Sequence, residues 1–138
     1  YLEMKEREAS AQTPYGDEIV AAALGYTLHN LYNAIENYFL RIAKYFENHL
    51  ESDTWHRDLV NRMTMSIEGV RPALLQRDQI HPFHELRSFR HVFRSIYVST
   101  LDRRKLAIVE DQAEPAILAL RKAHQRFVKK LEQIRESL

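Results

Sequence analysis

Apolar positions recur along this chain at helical spacing. Leu24, Leu28, Leu31, Ile35, Phe39, Ile42 and Phe46 follow one another at steps of three or four residues, which is one face of an amphipathic helix. The stripe predicts a long helix from about Asp17 to about Leu50. The polar residues before it end on Thr13-Pro14 and read as an arm, residues 1–15, ahead of a single domain over 16–138. Ser52-Asp53-Thr54 offers the next stop and start. A second helix then carries Trp55, Leu59, Met63 and Ile67 inward and breaks at Gly69 to Pro72, and residues 73–81 form a connector with a short apolar patch, helical or not. A third helix is expected from near Pro82, a residue tolerated in a first turn, to Tyr97 or Val98. Ser99 to Asp102 interrupts. Asp102 can cap a fourth helix with Leu106, Val109, Ile117, Leu120, Ala123, Phe127, Leu131 and Ile134 inward; Pro115 predicts a kink in it, or a junction of two helices near Glu114. No segment alternates as a strand does. The pattern predicts an all-α fold, an up-and-down bundle of four to five helices.

Composition agrees. With 3 Gly and 4 Pro in 138 residues, the chain lacks the turns of an all-β protein. Its 45% hydrophobic and 28% charged residues suit a globular chain with a real core. The longest apolar run, Ile19 to Leu24, is too short for a membrane span. The absence of cysteine removes disulfides, thiolate nucleophiles and thiolate metal sites; it fits a reducing compartment, and the cytoplasm is the expected location. A net charge of +1 gives no bulk basic field, so any nucleic-acid role needs a local cluster.

One segment supplies it. Residues 84–105 hold Arg87, Arg90, Arg94, Arg103, Arg104 and Lys105 against Glu85 and Asp102 alone. On a wheel of about 100° per residue, the third helix divides in two. Leu86, Phe89, Val92, Phe93 and Ile96 fill one arc; His84, Arg87, Arg90, His91, Arg94, Ser95 and Tyr97 take the other. A solvated face is the ordinary meaning of such a division. Here the usual Glu and Lys filler is nearly absent. Arg is used instead, and its planar fork suits phosphate; His and Tyr can exchange protons. The face therefore reads as a phosphodiester-handling surface.

The stretch Phe89-Arg90-His91-Val92-Phe93-Arg94-Ser95-Ile96-Tyr97 resembles the signature of the HEPN superfamily: Arg, four to six residues, His, then one residue and Tyr. More closely it resembles the HepT-like ribonuclease toxins that pair with a minimal nucleotidyltransferase antitoxin. Glu85-Leu86-Arg87, Leu101 to Leu106, Leu24-Gly25-Tyr26, Leu28-His29, Tyr32 with Ile35-Glu36, and Trp55 to Leu59 are also similar to that branch. The resemblance covers roughly Ile19 to Ile134. It implies a metal-independent endoribonuclease of a type II or VII toxin–antitoxin system, acting on RNA as a homodimer and needing no cofactor. Arg90 would hold phosphate, helped by Arg87 and Arg94, with Arg103 and Arg104 as further RNA contacts. Tyr97 would position RNA or be the hydroxyl that the antitoxin modifies with AMP. The sequence departs from the signature at Ser95, which stands where the motif has its histidine. His91 is then the imidazole left on the face. The alternative is a catalytically silent HEPN module that binds RNA, nucleotide or its partner nucleotidyltransferase; a plain helical interaction protein is a third reading.

Other candidates carry less. His81-x-x-His84 has metal-ligand spacing but no supporting carboxylate pair or cysteine, and no metal site is expected. Trp55 reads as core and His56 as surface or cap. Tyr26, Tyr32, Tyr38 and Tyr45 read as half-buried packing residues with wet hydroxyls. Arg121, Lys122, Arg126, Lys129 and Lys130 read as cations opposing a helix dipole. Glycine-rich phosphate loops, nucleophile elbows and two-metal carboxylate clusters are all missing.

Overall fold

The long apolar stripe folds as periodicity requires. In a computed structural model of the chain, which describes residues 14–47, 55–95 and 103–138, the first helix (α1) spans Pro14–Glu47. It starts three residues before the expected Asp17, with Pro14 in the first turn, where a missing N–H is harmless. Leu24, Leu28, Ile35, Phe39 and Ile42 are buried, while Leu31 and Phe46 pack at the edge of the core.

The second helix (α2) is short, Trp55–Arg62. Leu59, Val60 and Met63 are buried at its end. The helix stops well before Gly69 because the backbone turns after Met63 and returns through a bridge between Ile67 and Arg71. Gly69 has φ of 76°, a region that costs an L-residue about 1–2 kcal/mol. Nothing lies within 4 Å of a Cβ built there, so Gly69→Ala should lose about 1 kcal/mol through backbone strain alone, read as a lowered midpoint in urea unfolding. The connector forms a single 3-10 turn, Arg77–Gln79, closed by hydrogen bonds between Gln76 and Gln79. Its apolar patch is used: Leu74 and Leu75 are buried.

The third helix (α3) is His81–Ser95 and the fourth (α4) is Arg103–Ser137. The α3 helix lies against both long helices. Phe39 of α1 meets Phe83 of α3 edge-on at 5.5 Å, and Phe46 meets Phe127 of α4 at 5.9 Å. These four α-helices packed together make the all-α fold. Pro115 does not divide α4 into two helices. Its ring removes the N–H that would bond the carbonyl of Asp111, but both residues are exposed, so water can take the freed carbonyl. No strand is formed among the described residues, and none of their helices is long and apolar enough to cross a membrane.

The loop between α2 and the 3-10 turn is fixed by a residue that periodicity does not flag. Arg71 is 3% exposed. Its Nη1 donates to the carbonyls of Met65 at 2.9 Å and Pro72 at 3.1 Å. Its Nη2 donates to the carbonyl of Arg62 at 3.0 Å and to Glu47 Oε1 at 3.3 Å. Glu47 also accepts from Arg62 Nε at 3.0 Å. One guanidinium thus ties the end of α1, the end of α2 and the loop together. Burial pulls the Arg71 pKa down, and Glu47 pushes it back.

Candidate functional site

The polar arc of α3 does not stand clear in solvent as a whole. Arg90 lies at its margin, next to the apolar arc, and turns onto α1. Its Nη1 donates to Glu36 Oε1 at 2.8 Å and to Asn33 Oδ1 at 3.3 Å. Its carbon Cζ sits 4.8 Å from the centre of the Tyr32 ring. The Arg90 side chain is 13% exposed and that of Glu36 is 9% exposed. The expected wet guanidinium is therefore a half-buried one, paired and oriented by α1. Its side chain is long enough to reach across the margin, which a wheel of Cα positions does not register.

Around this pair the face is graded. Arg87 and His84 are half-buried, and His91 and Arg94 are exposed. His84 Nε2 lies 3.2 Å from Asn61 Oδ1 and is held by the last turn of α2. Among the apolar residues, Val92 is exposed, correcting its inward assignment, while Leu86 and Phe89 are buried. Ser95 ends α3, and its side chain lies outside the described residues; so do Tyr97, Asp102 and the side chains of Trp55 and His56. Arg103 is half-buried, and Arg104 and Lys105 are exposed, all three in the first turn of α4, which holds no acidic residue. Cations there oppose the helix dipole, so the local rule is broken by three successive residues. No group of three potential metal ligands occurs among the described residues.

The tyrosines differ from one another. Tyr26 and Tyr45 are exposed, and Tyr38 is half-buried and bonded to His124 Nδ1 of α4. Tyr32, expected to be half-buried with a wet hydroxyl, is fully buried. Burial and the Glu36 carboxylate raise its pKa well above the usual phenol range, with Arg90 and Arg87 opposing, so it is a neutral phenol under Arg90. Of the basic residues of α4, Arg126 departs from the dipole explanation: its Nη2 donates to the carbonyl of Leu74 at 2.8 Å and holds the connector.

Residue types on α1 could have pointed to this arrangement. Glu36 falls between Tyr32 and Phe39 on the apolar stripe, and a carboxylate there needs a cation from a neighbouring helix. Asn33 and His29 continue the same polar line, one and two turns back. Asn33 Nδ2 lies 3.1 Å from His29 Nε2, and the His29 ring packs 5.3 Å from Phe93. Burial first, then Arg90 and Arg94, lower the His29 pKa. His84 is lowered too, by burial, Arg87 and His81, against Glu85. Both rings charge near 6.5 when unfolded and resist charging when folded. Their stabilising contribution is therefore full above about pH 6.5 and is lost as pH falls below it. The melting temperature should drop on acidification from pH 7.5 to 5.5, and a His29→Gln, His84→Gln variant should show a shallower drop.

A family model described as HepT-like protein matches residues 23–131. The chain belongs to the HepT-like family. That match takes in most of α1, all of α2 and α3, and most of α4, with Glu36, Arg90 and His91 inside it. No curated protein and no solved structure matches the chain significantly. HepT-like membership, HEPN-related, agrees with the all-α fold and with the arginine-rich helix at its centre.

Proposed function

We propose that this HepT-like chain is a metal-independent endoribonuclease, the toxin of a toxin–antitoxin pair whose antitoxin is a minimal nucleotidyltransferase. The observation that carries the reading is the Arg90 guanidinium, fixed by Glu36 and Asn33 on α1 and set among Arg87 and Arg94 at helical spacing. Adjacent like charges on one helix destabilise it, and so do three cations at the start of α4. A phosphodiester bound across these cations would lower both costs further. In the reaction, a base takes the 2′-OH proton and the freed oxygen attacks the adjacent phosphorus. Arginines hold the phosphate and stabilise the developing charge. His91 is an exposed imidazole of the same helix and serves proton transfer. A symmetric dimer would bring two such helices together over one cleft. AMP added to Tyr97 would put phosphate and a bulky nucleotide into that cleft and block it.

The substitution of Ser95 for the motif histidine favours a second reading, a silent HEPN module that binds RNA or the nucleotidyltransferase without cutting. Incubation of a tRNA pool with the protein in chelator separates the two. Cleavage that disappears in Arg90→Ala and His91→Ala supports the ribonuclease; RNA retained intact on the protein supports the silent module. Intact mass after treatment with a nucleotidyltransferase and ATP reports on Tyr97, and a mass unchanged by that treatment removes the modification for that enzyme.

A further inference from the structure

The polar line across α1 and α3 fixes a histidine in one protonation state. Arginine can only donate. Arg90 Nη1 donates to Asn33 Oδ1 at 3.3 Å, so Asn33 presents its Nδ2 amide to His29, 3.1 Å away. That amide also only donates, so His29 Nε2 must accept and carries no proton. The neutral ring therefore holds its hydrogen on Nδ1. Nδ1 is enclosed and has no hydrogen-bond partner, so no carboxylate sits there to favour an imidazolium. The charges that act on the ring are Arg90 and Arg94 of α3, and both oppose its protonation. Glu36 reaches this line only through Arg90, whose Nη1 it binds at 2.8 Å.

We infer that His29 is the general base of the proposed ribonuclease, supplying from α1 the imidazole that Ser95 does not supply from α3. The inference rests on the ribonuclease reading. The His29 Nε2 lone pair already accepts a hydrogen bond, in a line that ends on the phosphate-holding arginine. A ribose 2′-OH replaces the Asn33 amide as the donor to Nε2. The 2′-O–H proton passes to Nε2, a 2′-O–P bond forms, and the P–5′-O bond breaks. The leaving 5′ oxygen takes a proton from the His91 imidazolium. The products are a 2′,3′-cyclic phosphate and a 5′-hydroxyl, and solvent exchange returns both imidazoles to their starting states. A ring kept neutral by burial and two arginines is ready to accept a proton at neutral pH, which a free surface histidine is only in part.

The test is cleavage of a tRNA pool in chelator from pH 5 to 8, with wild type, His29→Gln and His29→Ala. Glutamine can still accept from Asn33, so it preserves the line while removing the base. The expected result is a loss of about a hundredfold or more in kcat/KM for both variants, with tRNA affinity and melting temperature at pH 7.5 unchanged for His29→Gln. The wild-type rate should fall in acid with a midpoint below 6.5, and this limb should vanish in the residual activity of His29→Gln. Nitrogen-15 spectra at pH 7 should report an unprotonated Nε2 in wild type. Wild-type cleavage that persists undiminished in His29→Gln, or an Nε2 that carries the proton, overturns the assignment of His29 and leaves the ribonuclease reading intact. A wild-type protein that binds tRNA and cuts none of it overturns both.

Discussion

Arg71→Leu is expected to lower the free energy of unfolding by about 3–5 kcal/mol, the range for breaking a buried ion pair from one side. The Arg71 side chain is fully buried and its partner Glu47 is 6% exposed. Leucine fills part of the volume and satisfies none of the polar groups. The carbonyls of Met65 and Pro72 lose the Arg71 donor, while that of Arg62 keeps the N–H of Met65 at 3.1 Å; an acceptor left without a donor away from water costs about 1–3 kcal/mol. Arg62 still faces Glu47 at 3.0 Å, which limits the charge penalty and keeps the total within that range. A domain of this size has only about 5–15 kcal/mol to lose, so the effect is large in urea unfolding. Arg71→Leu combined with Glu47→Gln should be less destabilised than the sum of the two single changes, since the second removes the charge that the first strands.

Arg90→Lys is expected to lower cleavage by about 10²–10³-fold, the usual effect of removing one donor that stabilises transition-state charge, while leaving the fold nearly as stable. Lysine keeps a positive charge against Glu36 but loses Nη2 and Nε, the guanidinium donors left over once Nη1 has bound both Glu36 and Asn33. Arg90→Ala should do the same to cleavage and also destabilise, because it leaves Glu36 buried without its 2.8 Å partner. Melting curves beside kcat/KM separate the two effects. A lysine variant as active as wild type would mean that Arg90 serves α1 rather than the substrate.

Most of the fold can be read from the sequence because its core is made of stripes. Leu24 to Phe46 keep one period over most of α1, and a stripe that long leaves its apolar face no alternative to burial. The connector and the ends of α2 are less legible. Their structure depends on one arginine reaching four acceptors across segments distant in sequence, and no local pattern encodes that. Pro115 misleads for a related reason: its cost depends on which face it occupies, and that face is wet. The candidate site is half legible. A wheel finds the arginine-rich side of α3 but treats side chains as radial spokes. Arg90 folds over the margin to meet Glu36, and that meeting draws Asn33 and His29 of a second helix into the site. The sign of it on α1 is a carboxylate set within an apolar stripe.

Under the proposed function, the Arg90-centred face cleaves RNA without metal, by attack of the RNA's own 2′ oxygen on the adjacent phosphorus. The ends of RNA fragments produced in chelator test this most directly. A 2′,3′-cyclic phosphate is expected on one fragment and a 5′-hydroxyl on the other, both lost with Arg90→Lys. Fragments ending in 3′-hydroxyl and 5′-phosphate, the products of attack by water, or RNA left whole by the wild-type protein, would contradict it.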